Sequence, residues 1–341
     1  MIFLKDTKMN MLLKLTLIAL LSASVSRPLY SQQLFTGNAE SFPPELESIY
    51  LKGLDYLQKS QNKTGQFQGQ YGNAPGVIGL CAIAMLAHGD DPNSGKFNAN
   101  IKLGINVILN SANKNNGYIG DSMYNHGFAT LALAEAYGAV NDDRIGPALK
   151  KAVALIVSSQ SRNSKGAWRY GPESQDADTT VSGSILVALF AAANAGIIVP
   201  DEAISKALNF YESCLTNDGG FGYSGKDSPN YPRTAIGALV FALAKKKDSG
   251  IFKNAIKFLS THNANDTGGQ YYHYGLYYAA QAFFHAGTQP WEIWNEINIK
   301  TLRASQSENG SWNSSQGPAF TTAAALLSMA LNYRYLPIYE R

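Results

Sequence analysis

Two carboxylates, Asp176 and Asp178, stand one residue apart in a polar loop just ahead of an apolar stretch, Ser182 to Ala193. Acids placed there can do general acid chemistry. Burial disfavours the charged form of a carboxyl, and a second carboxylate beside it disfavours that form further, so one member of such a pair keeps its proton at neutral pH. Asp178, flanked by Asp176, is the candidate catalytic set. The same residue has a plainer use: at a helix start, Asp178 accepts the backbone N–H two or three residues on and caps the helix. A third role is contact with a ligand, and the sequence leaves all three open. Glu173, Asp218 and Glu308, with the first two, are candidates for the paired carboxylates of a glycosidase groove. Nothing in the chain order says which of them meet.

Other chemistries lack their residues. There is no Gly-x-Ser-x-Gly elbow, no His-Glu-x-x-His and no phosphate-cradling glycine loop. His88, His126, His262, His273 and His285 show no metal spacing; His126 and His273 are candidates for bonding a carboxylate. The two cysteines, Cys81 and Cys214, read as buried free thiols on opposite sides of the fold, with no disulfide or zinc set. No metal or cofactor is expected. Net charge is +3 and no Lys/Arg stripe exists, so nucleic acid is not an expected partner.

The elements that must position these acids come from a repeat. A loop of glycine plus aromatic, often after a Gln, recurs with Gly65, Gly117, Gly166, Gly219, Gly268 and Gly310, a period of about 50 residues that marks one unit stacked six times. Phe67, Tyr118, Trp168, Phe221, Tyr271 and Trp312 are the aromatics. Each unit pairs two helical patterns. The first is amphipathic, as in Leu149, Val153, Ile156 and Val157; the second is apolar all round, as in Ser182–Ala193 and Thr322–Leu331. A helix apolar on every side must be buried on every side, so the apolar set lies inside and the amphipathic set outside. Because the last inner helix is as apolar as the middle ones, a closed ring is expected rather than an open solenoid with polar caps. The fold class is thus all-α: an α/α toroid of six helical hairpins over residues 45–341. Glycine permits positive φ, the aromatic wedges between hairpins, and Gln bonds the exposed backbone of the next helix terminus. Residues 1–26 carry early lysines, an apolar run from Leu15 to Leu21 and small residues up to Ser26, the pattern of a secretory signal. Export to the periplasm or beyond follows, with residues 27–44 as a lead-in arm.

The Gln-Gly-aromatic loop resembles the QW repeat of squalene-hopene and oxidosqualene cyclases and, more loosely, the repeat of protein prenyltransferase β subunits. Gln306-Ser-Glu-Asn-Gly310-Ser-Trp312 is the nearest copy, and Gln160 to Trp168 is a stretched one. Tyr271 to Tyr278 and Tyr333 to Tyr339 are similar to segments of exported, planctomycete-type proteins with the prenyltransferase/squalene oxidase repeat. The resemblance implies a terpenoid-cyclase-like toroid. Asp176-Ala-Asp178-Thr179-Thr180 resembles the Asp-x-Asp-Asp-Thr motif of squalene-hopene cyclases, whose central Asp protonates a terminal alkene; that acid would be Asp178, and Thr179 stands where the third carboxylate belongs. A zinc prenyltransferase is not implied, since neither cysteine follows an Asp at that family's spacing. The complement-type thioester domains share the toroid, but Cys81 lacks their Gly-Glu-Gln neighbour.

Aligning Thr180 with Thr234 and Thr322 places Pro232 and Phe320 where Asp178 stands, so repeat three carries the acid of these three. Cation chemistry also needs aromatic walls, and Trp168, Tyr271, Tyr274, Tyr277, His273 and Phe320 are the candidate substrate-binding residues. Three functions follow: a terpene-cyclase-like toroid with an apolar cavity for an isoprenoid or lipid, initiating cyclisation through Asp178; an inactive exported toroid binding a lipid or a protein partner, with peripheral membrane contact; or a secreted carbohydrate-active toroid.

Overall fold

The computed structural model describes residues 44–267, 269 and 271–339. The expected signal lies outside the described residues, as does the arm up to residue 43. Pro43–Arg341 clusters as one compact unit. Its described part holds twelve α-helices: α1 Pro44–Ser60, α2 Pro75–Leu86, α3 Asn98–Ser111, α4 Met123–Ala136, α5 Ile145–Arg162, α6 Thr179–Asn194, α7 Asp201–Ser213, α8 Tyr231–Leu243, α9 Gly250–Thr261, α10 Tyr272–Ala286, α11 Thr288–Ser305 and α12 Pro318–Met329. Among the described residues β-structure is limited to two isolated bridges inside the glycine loops, Ala112 with Ile119 and Leu215 with Phe221.

The even-numbered helices form the inner layer. Every residue of α2 is buried, and nearly all of α4, α6 and α12. Proline in the first turn of α2, α8 and α12 suits a position whose N–H has no helical acceptor. The odd-numbered helices are one-sided: in α9, Phe252, Ala255, Phe258 and Leu259 are buried while Lys253, Asn254 and Lys257 face water. Neighbouring inner helices pack in chain order, and α12 packs on α2, so the ring closes. The expected α/α toroid is the fold.

The repeat loops act as the expected clamps. Gln160 Nε2 donates to the loop's own Gly166 O (2.8 Å) and to Ala203 O in the first turn of α7 (2.7 Å). Gln306 does the same to Gly310 O and Ile49 O, which ties the last repeat to the first. Gly310 sits at φ +92 and a Cβ there would lie 2.2 Å from Lys52 O on α1, so only glycine allows the closing contact. The indoles of Trp168 and Trp312 donate back to Ile156 O and Leu302 O at the end of their own outer helices.

Four wedge residues also dock their backbone N–H on the inner helix, while Phe67 N of the first repeat bonds Gly72 O of its own loop. Trp168 bonds Ser182 Oγ, Phe221 bonds Thr234 Oγ1, Trp312 bonds Thr322 Oγ1, and Ile119 bonds His126 Nδ1. These contacts correct the repeat register: Thr234 and Thr322 correspond to Ser182, not to Thr180. They also correct the second wedge, which is the buried Ile119 rather than Tyr118. Because His126 Nδ1 accepts, its Nε2 carries the proton and donates to Ala152 O at 3.1 Å; burial lowers its pKa to about 4. His126 therefore serves as a clamp and bonds no carboxylate. Both cysteines are buried and free, as expected.

After α12 the chain turns under the C-terminal ends of the inner helices. Leu336, Ile338 and Tyr339 are buried there, and Asn194 of α6 donates to Pro337 O at 3.5 Å. Among the described residues no helix is long and apolar enough to cross a membrane.

Candidate functional site

The other end of the inner ring, where the inner helices begin, holds a cavity of about 630 Å³. Eight aromatic rings line it: Tyr71, Tyr124, Phe128, Tyr170, Tyr223, Tyr271, Tyr274 and Phe320. Tyr274 and Phe320 stack with centroids 6.3 Å apart, and Tyr124 stacks on Phe128 at 6.2 Å. The Tyr170 and Tyr223 hydroxyls are hydrogen-bonded at 2.6 Å. Neutral polar groups, among them Ser122, Asn125, Asn230 and Gln316, fill the gaps, and Arg233 is the charged residue among the lining residues. No carboxylate is among them.

The corrected register explains the wall. Ser122, Asp178 and Asn230 each stand four residues before the clamp acceptor of their repeat, and each caps its inner helix. Two residues after these caps come Tyr124, Thr180 and Pro232, and Phe320 stands likewise two before its acceptor Thr322; all four line the cavity. Pro232 and Phe320 are thus the counterparts of Thr180, and the counterparts of Asp178 are the caps Ser122 and Asn230 and, in the last repeat, Pro318 at the start of α12. That position is the signal by which Tyr124 and Thr180 were findable. Phe128, Tyr170, Tyr223 and Arg233 carry no comparable mark.

Asp178 is fully buried and lies behind this wall. Its Oδ1 accepts from Thr180 N (2.9 Å), Val181 N (2.8 Å) and Thr180 Oγ1 (2.6 Å). Oδ2 has no hydrogen-bond partner, and Arg169 Nε stands 3.9 Å from it. Burial pushes the carboxyl above its ordinary range, against the pull of those hydrogen bonds and of Arg169. Asp176 is separate: its side chain is 60% exposed and pairs with Arg169 Nη1 at 2.6 Å. The two acids are joined through one guanidinium and do not share a site.

Of the expected wall residues, the structure brings Tyr271, Tyr274 and Phe320 to the cavity. Trp168 is instead buried in the joint between α5 and α6, because its indole N–H has acceptors there, Ile156 O and Ser159 Oγ. Tyr277 is buried on the deep side of α10, against Tyr278 and within the electrostatic reach of Glu135 and Tyr339. His273 has both ring nitrogens covered and unpartnered, and burial lowers its pKa to about 4; it bonds no carboxylate and does not line the cavity. The acids Glu173, Asp218 and Glu308 are exposed and none lines the cavity. Among the described residues no group of three or more His, Cys, Asp or Glu could hold a metal ion.

A family model for a domain of unknown function, DUF6288, matches residues 47–331. No curated protein matches the chain. Solved structures do. An inactive variant of the α-1,6-mannanase GH76A of Salegentibacter sp. HEL1_6, in complex with α-1,6-mannotetrose, has 9% identity over 84% of this chain and 99% of that one, with a TM-score of 0.66. A variant of the type II terpene cyclase MstE from Scytonema, bound to its product merosterolic acid A, has 14% identity over 84% and 96%, with a TM-score of 0.61. A protein from Actinoplanes has 11% identity over 84% and 99%, with a TM-score of 0.57. At such identities the likeness shows the toroid fold alone.

Proposed function

We propose, for a chain that belongs to the DUF6288 family, that the toroid holds a hydrophobic small molecule, of isoprenoid or lipid class, in the cavity at the start of its inner helices. One observation carries this reading: the lining is built from eight aromatic rings and no carboxylate. Aromatic faces suit an apolar or unsaturated body. Glycoside hydrolysis needs two acids flanking one bond, and none of Glu173, Asp176, Asp218 and Glu308 lines this cavity, so the mannanase-like reading is the weaker one. The test is mass spectrometry on organic extracts of the purified protein. A co-purified isoprenoid or lipid, displaced when Tyr274→Ala opens the wall, is the expected result; an extract with no bound lipid, from protein whose cavity also takes up none when offered it, removes the proposal.

A second reading, protonation-initiated cyclisation, is favoured by one feature: the Oδ2 of Asp178 is buried, unpartnered and held on a carboxyl whose pKa is raised. For Asp178 to act, the proton must pass from behind Thr180 into the cavity, and a type II cyclase is among the proteins of the same fold. Incubation with squalene or a geranylgeranyl substrate, wild type against Asp178→Asn, decides it: product from wild type alone supports an acid, and no product from either leaves binding as the function. Export through residues 1–26 and kinship with the QW-repeat toroids belong to the same proposal; the clamps made by Gln160, Gln306, Trp168 and Trp312 support the second of these.

A further inference from the structure

Resting on the reading of the cavity as a ligand site, we infer that its ligand is an amphipathic anion, an apolar body bearing a compact carboxylate or phosphate that Arg233 holds. Arg233 lies in the first turn of α8 and lines the cavity. Its Nη1 donates to Ser228 O at 2.7 Å and its guanidinium lies over the Tyr223 ring, 5.0 Å from the centroid. Those two contacts fix the plane of the group and use one of its five N–H donors. Among the described residues no carboxylate pairs with it. Arg169, 5.3 Å from the centroid of the same Tyr223 ring, differs: Asp176 sits 2.6 Å from it and Asp178 3.9 Å. One guanidinium at this rim is therefore neutralised by the protein and the other is not.

The rest of the wall adds no negative charge. The first turns of α10 and α12 follow Tyr271 and Gly317, neither of which caps with its side chain, so the positive ends of those two helices also face this end of the ring, whereas Gly76 N in the first turn of α2 donates to Asn125 Oδ1 at 3.2 Å. A neutral apolar ligand would close the cavity over an unpaired guanidinium and pay its desolvation with nothing in return. A carboxylate or phosphate matches the planar fork with paired, charge-assisted hydrogen bonds, while the apolar body lies along the stacked Tyr274 and Phe320.

The test holds the body constant and changes the head. The full chain is titrated calorimetrically at low salt with farnesol, farnesoic acid and farnesyl monophosphate. The expected result is that at least one anion binds tenfold or more tighter than the alcohol. Arg233→Met removes that preference, weakening the favoured anion and not the alcohol, and Arg233→Lys restores part of it. Which anion gains separates a carboxylic acid ligand from a phosphate. Equal affinity for the three heads, or a preference that survives in Arg233→Met, overturns the inference while the cavity reading stands. If none of the three binds, the cavity reading beneath it falls as well.

Discussion

The two ends of the inner ring each bury one acid with an unpartnered oxygen, Asp178 where the inner helices start and Glu135 where they finish. Burial raises both. Asp178 sits at a helix N-terminus, where two backbone N–H groups, a hydroxyl and the positive end of the dipole support its charge. Glu135 sits in the last turn of α4, at the negative end of a dipole, and its one backbone donor is Ile338 of the C-terminal tail; its pKa is pushed up to about 8. The acid that a sequence motif singles out is the better-supported anion. The acid kept neutral at pH 7 faces the end that Leu336, Ile338 and Tyr339 close. A raised pKa is thus a mark of burial first, and it points to chemistry only beside an open cavity.

The comparison breaks most sharply if the closed end is opened. Ending the chain after Tyr335 removes three buried side chains, Leu336, Ile338 and Tyr339, and is expected to cost about 5 kcal/mol at ~1.5–3 kcal/mol each, read by denaturant unfolding. The same truncation brings Glu135 back toward an ordinary carboxyl. A loss of less than about 1 kcal/mol would show that the tail does not seal this end.

The next effect is a pH dependence. Glu135 has a folded pKa of about 8 against an ordinary 4.5, so the folded state holds the extra proton and stability falls as pH rises through that window. His126 and His273 act oppositely: their folded pKa values are about 4 against 6.5, so their stability is present above 6.5 and lost as pH falls. Together these three groups put the maximum near pH 6.5, with the loss toward pH 8 due to Glu135. Glu135→Gln should flatten that alkaline limb by a few kcal/mol, measured as unfolding free energy against pH. An unchanged slope means that Glu135 is not held neutral.

At the open end the effects are smaller. Asp178→Asn keeps a capping oxygen and should cost under about 1 kcal/mol, while Asp178→Ala should cost about 1–2 kcal/mol. If both lose far more, the carboxylate rather than the cap stabilises this end. Smallest of all is Tyr271→Ser: the side chain is 45% exposed at the cavity mouth, so melting should shift by only tenths of a kcal/mol, with the change showing in ligand affinity instead.

Much of the fold was legible because its causes are local. The glycine period, the one-sided outer helices and the all-apolar inner helices fix six hairpins, and the apolar last helix fixes closure. The clamps at Gln160 and Gln306 were legible for the same reason. Misreadings arose where neighbours decide. Thr180 and Ser182 are both hydroxyl residues in one helix turn, and only the hydrogen bond from Trp168 N says which one matches Thr234. Trp168 is aromatic in a repeat loop like Tyr271, yet one is buried in a joint and the other opens on the cavity.

By itself the sequence determined a closed double ring of helices with Asp178 as a candidate cap of one inner helix, because periodicity, glycine conformation and capping act within a few residues. Tertiary structure alone decided the rest: that Asp178 stands behind the wall, that Arg233 at the rim has no carboxylate beside it while Arg169 has two, and that the C-terminal tail rather than a side-chain plug closes the far end over Glu135. Those outcomes depend on how each helix is rotated about its axis in the ring, and that rotation is set by packing between residues far apart in the chain.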